Sequence, residues 1–102
     1  MLPAILVESP IIGARVSSPV TVSGTANVFE ATVSLRILDE NGNEIARTFT
    51  TATCGTGCRG DYSVSIPFNV DRQQRGTIEV FESSAKDGSP INLVRIPVTL
   101  MP

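Results

Sequence analysis

Apolar and polar residues alternate with a period of two along most of this chain, which is the pattern of strands with one buried face. The alternation is most regular in residues 60–70, and it recurs in residues 19–28, 32–38 and 94–100. Gly24 occupies an inward position, where we expect a bulge or a close packing contact. The residues predicted to face the core are Tyr62, Val64, Ile66, Phe68 and Val70; Val20, Val22, Ala26 and Val28; Val33, Leu35 and Ile37; and Val94, Ile96, Val98 and Leu100.

Three less regular segments complete the predicted strands. Residues 5–7 form a short apolar run, and residues 44–51 are rich in threonine and half polar, as an edge strand would be. In residues 76–83 the alternation breaks after Val80. Turn residues separate all seven runs, and no segment carries a helical stripe. The pattern therefore favours an all-β, immunoglobulin-like β-sandwich of about seven antiparallel strands, with a small barrel as the alternative.

Size and charge narrow the function classes. With 102 residues the chain has room for one core, so we expect a single sandwich domain over residues 1–102, a fragment of a larger exported protein. Eight basic residues are scattered among ten acidic ones, which is not the basic footprint of a nucleic-acid binder. No apolar stretch is long enough for membrane insertion, and residues 1–7 lack the features of a signal peptide, so a targeting segment would lie outside this chain.

The two cysteines, Cys54 and Cys58, are separated by three residues, two of which are glycine. The chain has no histidine and no further cysteine, so soft ligands cannot complete a zinc site, and we expect no metal or other cofactor. A redox motif normally has two residues between its thiols at a strand-to-helix junction. We therefore predict a disulfide that closes a turn, which points to an oxidising compartment outside the cytoplasm.

Two short motifs admit a structural and a functional interpretation. The oxygen-rich run of residues 39–44 lacks the spacing of a calcium loop, and Asn41-Gly42 within it is a strong hairpin signal, so we interpret the run as a turn. The tripeptide Arg59-Gly60-Asp61 is one that integrins recognise, but such a short match arises often by chance. We interpret the match as coincidence, with Gly60 as a turn residue and Asp61 as the beginning of the next strand.

A duplicated Phe-Glu string carries the polar residues that the strand pattern explains least. The copies are Val28-Phe29-Glu30-Ala31 and Val80-Phe81-Glu82-Ser83. In a seven-strand sandwich the first lies in the loop between the second and third strands. The second leads into the loop before the last strand, at the same end of the sandwich. The candidate binding residues predicted to converge there are Phe29, Glu30, Phe81, Glu82, Lys86 and Asp87.

Three explanations of this cluster stay open. In the first, Phe29 and Phe81 plug the end of the core, while Glu30 and Glu82 accept hydrogen bonds from loop backbone or pair with Lys86 or an arginine. In the second, the cluster is a binding patch. In the third, the two glutamates hydrolyse a glycoside as paired carboxylates, although so small a domain offers little cleft. A Ser-His-Asp arrangement is impossible without histidine, and we expect no enzymatic activity.

The same strings carry a family resemblance. Residues 9–26 followed by Val28-Phe29-Glu30-Ala31, together with residues 76–90, resemble the immunoglobulin-like domain of bacterial spore-germination proteins. The resemblance implies a domain on the outside of the membrane, often beside a domain named for germination and sporulation lipoproteins. It also implies interaction with the cell envelope and no enzymatic activity. The cysteine-containing segment is not a feature we associate with this family.

Two functions follow as expectations. The first is a non-catalytic extracytoplasmic binding module of the bacterial cell envelope, associated with germination or sporulation, whose partner is cell-wall glycan or an envelope protein. The second is a structural spacer, or a surface subunit that self-associates by strand pairing through residues 44–51 or the last strand. Glycosidase activity comes third.

Overall fold

The structure, a computed structural model, describes residues 2–102 and consists of strands with one short turn of 3-10 helix at Phe29–Ala31. The strands are β1 (Ile5–Ser9), β2 (Arg15–Val16), β3 (Val20–Ala26), β4 (Thr32–Leu38), β5 (Glu44–Thr51), β6 (Gly60–Ile66), β7 (Gln74–Ser83) and β8 (Pro90–Leu100).

The strands form two sheets that pack face to face, so the predicted immunoglobulin-like sandwich is confirmed. One sheet has the order β1-β3-β6 and the other has the order β2-β8-β7-β4-β5. The strand count is eight rather than seven, because β2 pairs in parallel with the end of β8. The sequence pattern does not reveal β2 because a strand of two residues contains no alternation to detect.

The core between the sheets consists of the residues that the alternation assigned to it. Val22, Val33, Leu35, Ile37 and Ile78 are completely buried. Val64, Val70 and Val94, which were also predicted to face inward, are half-buried and pack against this core. The periodicity therefore predicted the buried faces of β3, β4, β6 and β8 correctly.

Gly24 makes the close contact that its inward position predicted. It lies in the middle strand of the three-stranded sheet, between Val7 on β1 and Tyr62 on β6. A Cβ atom on Gly24 would collide with the Leu6 carbonyl and the Tyr62 hydroxyl. Glycine thus lets the Tyr62 side chain cross β3 and donate a hydrogen bond from its hydroxyl to the Leu6 carbonyl oxygen, 2.8 Å away.

The β4–β5 connection is the predicted hairpin. Asp39 Oδ1 accepts the backbone N–H groups of Asn41 and Asn43, each at 2.9 Å, and Gly42 has a φ of 81°. This carboxylate therefore organises the turn. Beyond the turn, β5 pairs only with β4, which confirms residues 44–51 as an edge strand.

Candidate functional site

The loop between β3 and β4 holds Phe29 and Glu30 in an unusual backbone conformation. Glu30 has a φ of 54° and Ala31 a φ of 60°, so two consecutive residues other than glycine occupy the left-handed region. Such residues are uncommon there, and the surrounding structure must hold them in place. The result is that Phe29, an aromatic residue, remains 52% exposed at the end of the sandwich.

Glu82 holds this loop from the five-stranded sheet. The register of β7 and β8 shifts between Val80 and Glu82, next to Asn92, whose φ is 54°. Glu82 Oε2 accepts the backbone N–H of Phe29 at 3.1 Å, and its Oε1 accepts the Asn92 side-chain amide at 2.9 Å. Glu82 therefore connects the loop to both strands, as the structural explanation of the Phe-Glu strings predicts for this residue.

The segment closed by the predicted disulfide, Cys54–Cys58, holds the loop from the other side. The Thr56 backbone N–H donates to the Val28 carbonyl oxygen at 2.9 Å, and the Thr56 Oγ1 accepts the Glu30 backbone N–H at 3.2 Å. The Gly57 N–H donates to the Asn27 side chain at 2.9 Å. The disulfide-closed segment thus holds the β3–β4 loop through three hydrogen bonds, a role that only the folded structure reveals.

A shallow cavity of about 340 Å³ lies where these elements meet. It is lined by Phe29, Glu30, Thr32, Glu82, Ser83 and Ala85. The predicted convergence of the two loops therefore holds for three of the six candidate residues, Phe29, Glu30 and Glu82. Within residues 2–102 the Glu30 carboxylate has no hydrogen-bond or ion-pair partner. The cavity thus presents an aromatic ring beside an unengaged carboxylate.

Lys86 and Asp87 belong to the neighbouring turn and do not line the cavity. Asp87 Oδ1 accepts the Ser89 hydroxyl at 2.6 Å and the Ser89 backbone N–H at 3.0 Å. These hydrogen bonds, that of the Ser89 side chain foremost, lower the pKa of Asp87. The Lys86 backbone N–H donates to Ser84 Oγ at 3.1 Å. The side chains of Asp87 and Ser84 therefore stabilise the turn that connects β7 to β8, and Lys86 contributes through its backbone.

Phe81 is not part of this site, which corrects the predicted convergence. Successive side chains of a strand point to opposite faces, so Phe81 points away from the core-facing Val80. It is 1% exposed, yet it lies on the outer face of the five-stranded sheet. Nor is Phe29 a core plug, because half of its surface is exposed. The Phe-Glu strings therefore look alike in sequence but occupy different environments.

Arginine side chains cover Phe81 on that outer face. The guanidinium carbons of Arg36 and Arg47 lie 5.3 and 5.9 Å from the ring centroid, within the range of cation–π contacts. Beside them, Glu79 is 1% exposed and accepts Arg36 Nε at 2.5 Å and Arg95 Nε at 2.8 Å. Arg36, Arg47 and Arg95 therefore make specific contacts on the outer face of the sheet.

The remaining motifs have structural roles. Arg59 donates to Thr25 Oγ1 at 3.0 Å and also to the Pro3 carbonyl, so it is held against the sheet rather than displayed. Asp61 lies within β6, paired with Thr25. Across residues 2–102 no group of three potential metal-ligating side chains occurs, and no helix is long and apolar enough to cross a membrane.

The catalytic explanation needs two carboxylates free to exchange protons. Both oxygens of Glu82 instead accept N–H groups that hold the loop and the β8 bulge in place. Only Glu30 is left to act on a ligand, so the geometry fits binding better than glycoside hydrolysis.

Two packed sheets with connecting loops gathered at one end define an immunoglobulin-like sandwich. Residues 4–89 match the family Gmad2, described as the immunoglobulin-like domain of bacterial spore germination, and the chain belongs to this family. No curated protein sequence matches the chain closely enough to count as a relative.

Two solved structures are similar in fold. The crystal structure of CopC from Methylosinus trichosporium OB3b is 17% identical with a TM-score of 0.53, over 96% of this chain and 94% of that one. The structure of WR4, a C. elegans MSP family member, is 16% identical with a TM-score of 0.42, over 98% of each chain. At this level of identity the likeness to CopC shows the shared fold.

Proposed function

We propose that this domain is a non-catalytic binding module of the bacterial cell envelope, associated with germination or sporulation, which contacts wall glycan through the Phe29–Glu30 end. The observation that carries the proposal is the pairing of an exposed aromatic ring with an unengaged carboxylate beside a shallow cavity. Membership in a family described by spore germination supports the envelope setting. A neighbouring envelope protein is the alternative partner.

The chemistry of this end suits a sugar chain. The Phe29 ring offers a flat apolar surface for the C–H face of a sugar ring, and aromatic residues contribute much of the binding energy of recognition surfaces. The Glu30 carboxylate accepts hydrogen bonds from hydroxyl or N-acetyl N–H groups, and bonds to a charged acceptor are stronger than neutral ones. An open cavity accommodates a chain that continues beyond the contacted sugar.

The proposed location is outside the cytoplasm. The Cys54–Cys58 disulfide closes the segment whose Thr56 hydrogen-bonds to the loop that carries Phe29 and Glu30. Disulfides persist in oxidising compartments, and the cytoplasm would keep these thiols reduced. The disulfide and the family both support an extracytoplasmic module.

The experiment is a titration of the chain with soluble peptidoglycan fragments, followed by NMR. We expect saturable shifts of residues 28–31 and 82–85. Phe29→Ser and Glu30→Gln should each weaken binding about tenfold, equivalent to roughly 1.4 kcal/mol. Phe49→Ser and Asp71→Asn, which change exposed residues elsewhere, serve as matched controls. Equal affinities of all four variants and the wild type would exclude this site.

The free edge of β5 favours the second candidate function, a self-associating or spacer subunit. This strand of eight residues presents one row of backbone groups that no other strand covers. Such an edge is a template for pairing with another chain. The edge of β8 fits less well, because Ala14 and Val16 already bond to its end. Sedimentation at high concentration tests this function, and a strict monomer would exclude self-association.

A further inference from the structure

Two adjacent cross-strand rows lie on the outer face of the five-stranded sheet. Directly paired residues of neighbouring strands point to the same face, so each row is a continuous strip of side chains. The charged row runs Arg47, Arg36, Glu79 and Arg95 from β5 to β8. The apolar row runs Phe49, Ser34 and Phe81, with Leu93 two residues before Arg95 on β8.

The charged row has an excess of positive charge at its centre. Two guanidinium groups, those of Arg36 and Arg95, share the single carboxylate of Glu79, which leaves a net charge of +1. Arg47 is already balanced by Glu44, whose carboxylate it contacts at 2.8 Å. The chain as a whole has a net charge of −2, so this face differs in sign from the protein around it.

The guanidinium groups of Arg36 and Arg95 are fixed in place, but only some of their N–H groups are hydrogen-bonded. Glu79 engages Arg36 and Arg95 through Nε alone, and the Nη groups of both have no hydrogen-bond partner anywhere in residues 2–102. The side chains of Arg36 and Arg95 are 24% and 67% exposed. Planar N–H edges of this kind bind carboxylates in a bidentate way, and Glu79 has already restricted the rotamers that binding would otherwise have to order.

The apolar row shows what kind of partner fits. Phe49 on β5 is 68% exposed and Leu93 on β8 is 38% exposed, and the guanidinium groups of Arg36 and Arg47 cover the Phe81 ring between them. Phenylalanine and arginine are enriched in protein interfaces, where a few such residues supply most of the binding energy. A purely anionic polymer would use the charged row and leave the apolar row exposed. A protein segment with one acidic and one apolar side chain satisfies both rows.

We propose that the two rows form a docking site for an acidic protein segment, with a carboxylate on Arg36 and Arg95 and an apolar side chain against Leu93. The rows are separated by two residues along each strand, which corresponds to about 7 Å. Side chains two positions apart in an extended peptide have the same spacing, so an extended segment lying along the strands reaches both rows.

The test uses a capped extended pentapeptide that carries Leu and Glu two residues apart, titrated into the chain and followed through the arginine Nε–Hε signals. We expect saturable shifts for Arg36 and Arg95. Arg95→Gln and Leu93→Ser should each weaken binding about tenfold. Arg15→Gln, which removes the same charge from another exposed arginine, and Phe29→Ser should leave the affinity unchanged.

Three results would overturn the proposal. The first is the absence of saturable shifts at Arg36 and Arg95. The second is an equal affinity for the same peptide with Gln in place of Glu, because the carboxylate would then not be recognised. The third is equal binding of inorganic phosphate, which would make the face a general anion site. Since Leu93 is partly exposed, Leu93→Ser keeps the test valid even if the Arg95 variant is unstable.

Discussion

The carboxylate of Glu82 accepts the backbone N–H of Phe29 at 3.1 Å, and this contact joins strand β7 to a loop 53 residues earlier in the chain. The same carboxylate binds the Asn92 side chain, so one residue organises the end of the sandwich on which the proposed glycan site depends. Glu30, its counterpart in the duplicated string, lines the cavity without such a contact.

The two glutamates should therefore respond differently to truncation. Glu82→Ala removes a charged acceptor from two N–H groups, and we expect a loss of about 1–3 kcal/mol in the free energy of unfolding. Glu30→Ala removes no contact and should change it by less than about 0.5 kcal/mol. Urea unfolding followed by circular dichroism measures both values. Equal losses would show that Glu82 does not hold the loop.

Removing the disulfide should loosen the β3–β4 loop as well as lower stability. For so short a closed loop, chain entropy predicts a loss of roughly 2 kcal/mol in the Cys54→Ser, Cys58→Ser double variant. The amides of Glu30, Thr56 and Gly57 should exchange faster with solvent than the loss of global stability explains. Hydrogen exchange followed by NMR measures this difference. The reduced wild type should match the double variant. An unchanged exchange rate of the Glu30 amide would show that the disulfide does not hold the β3–β4 loop.

The sequence predicts most of the fold because the inner face of each long strand is apolar. Val33, Leu35 and Ile37 on β4 alternate with polar residues, and a period of two assigns all three to the core. The Glu79 cluster escapes such an assignment. Its contacts depend on a register that pairs Arg36 with a residue 43 positions later, and local alternation does not specify this register.

The candidate site could be predicted from the sequence only in part. Sandwich topology brings the two loops to one end, which placed Phe29 near Glu82 correctly. The positive φ angles of Glu30 and Ala31 were not predictable, because neither residue is one that favours this conformation. The position of Phe81 was not predictable either, because Phe29 and Phe81 both stand between Val and Glu in the two Phe-Glu strings.

Substitutions around Glu79 test how the outer-face cluster is balanced. The double variant Arg36→Met, Arg95→Met leaves the buried carboxylate of Glu79 without its two guanidinium partners, and we expect a loss of about 3 kcal/mol in the free energy of unfolding. The triple variant Arg36→Met, Glu79→Leu, Arg95→Met should return to within about 1 kcal/mol of the wild type, because the buried charge of Glu79 is removed together with its partners. Urea is the appropriate denaturant because it does not screen charges. Equal losses in both variants would show that the charges of Arg36, Glu79 and Arg95 do not compensate one another.

Tyr62 should make the domain sensitive to alkaline pH. Burial, and to a lesser extent the negative charge of Glu8, raises the pKa of the Tyr62 hydroxyl above its ordinary value of 10.0. The folded state then keeps the proton longer than the unfolded chain, so this contribution is complete below about pH 10 and is lost as the pH rises further. Tyr62→Phe, which removes the hydrogen bond to the Leu6 carbonyl, should cost about 1 kcal/mol near neutral pH and lack this alkaline decline. Tyrosinate absorbance reports this group alone, because the chain has one tyrosine and no tryptophan, and ionisation at the ordinary pKa would contradict the prediction.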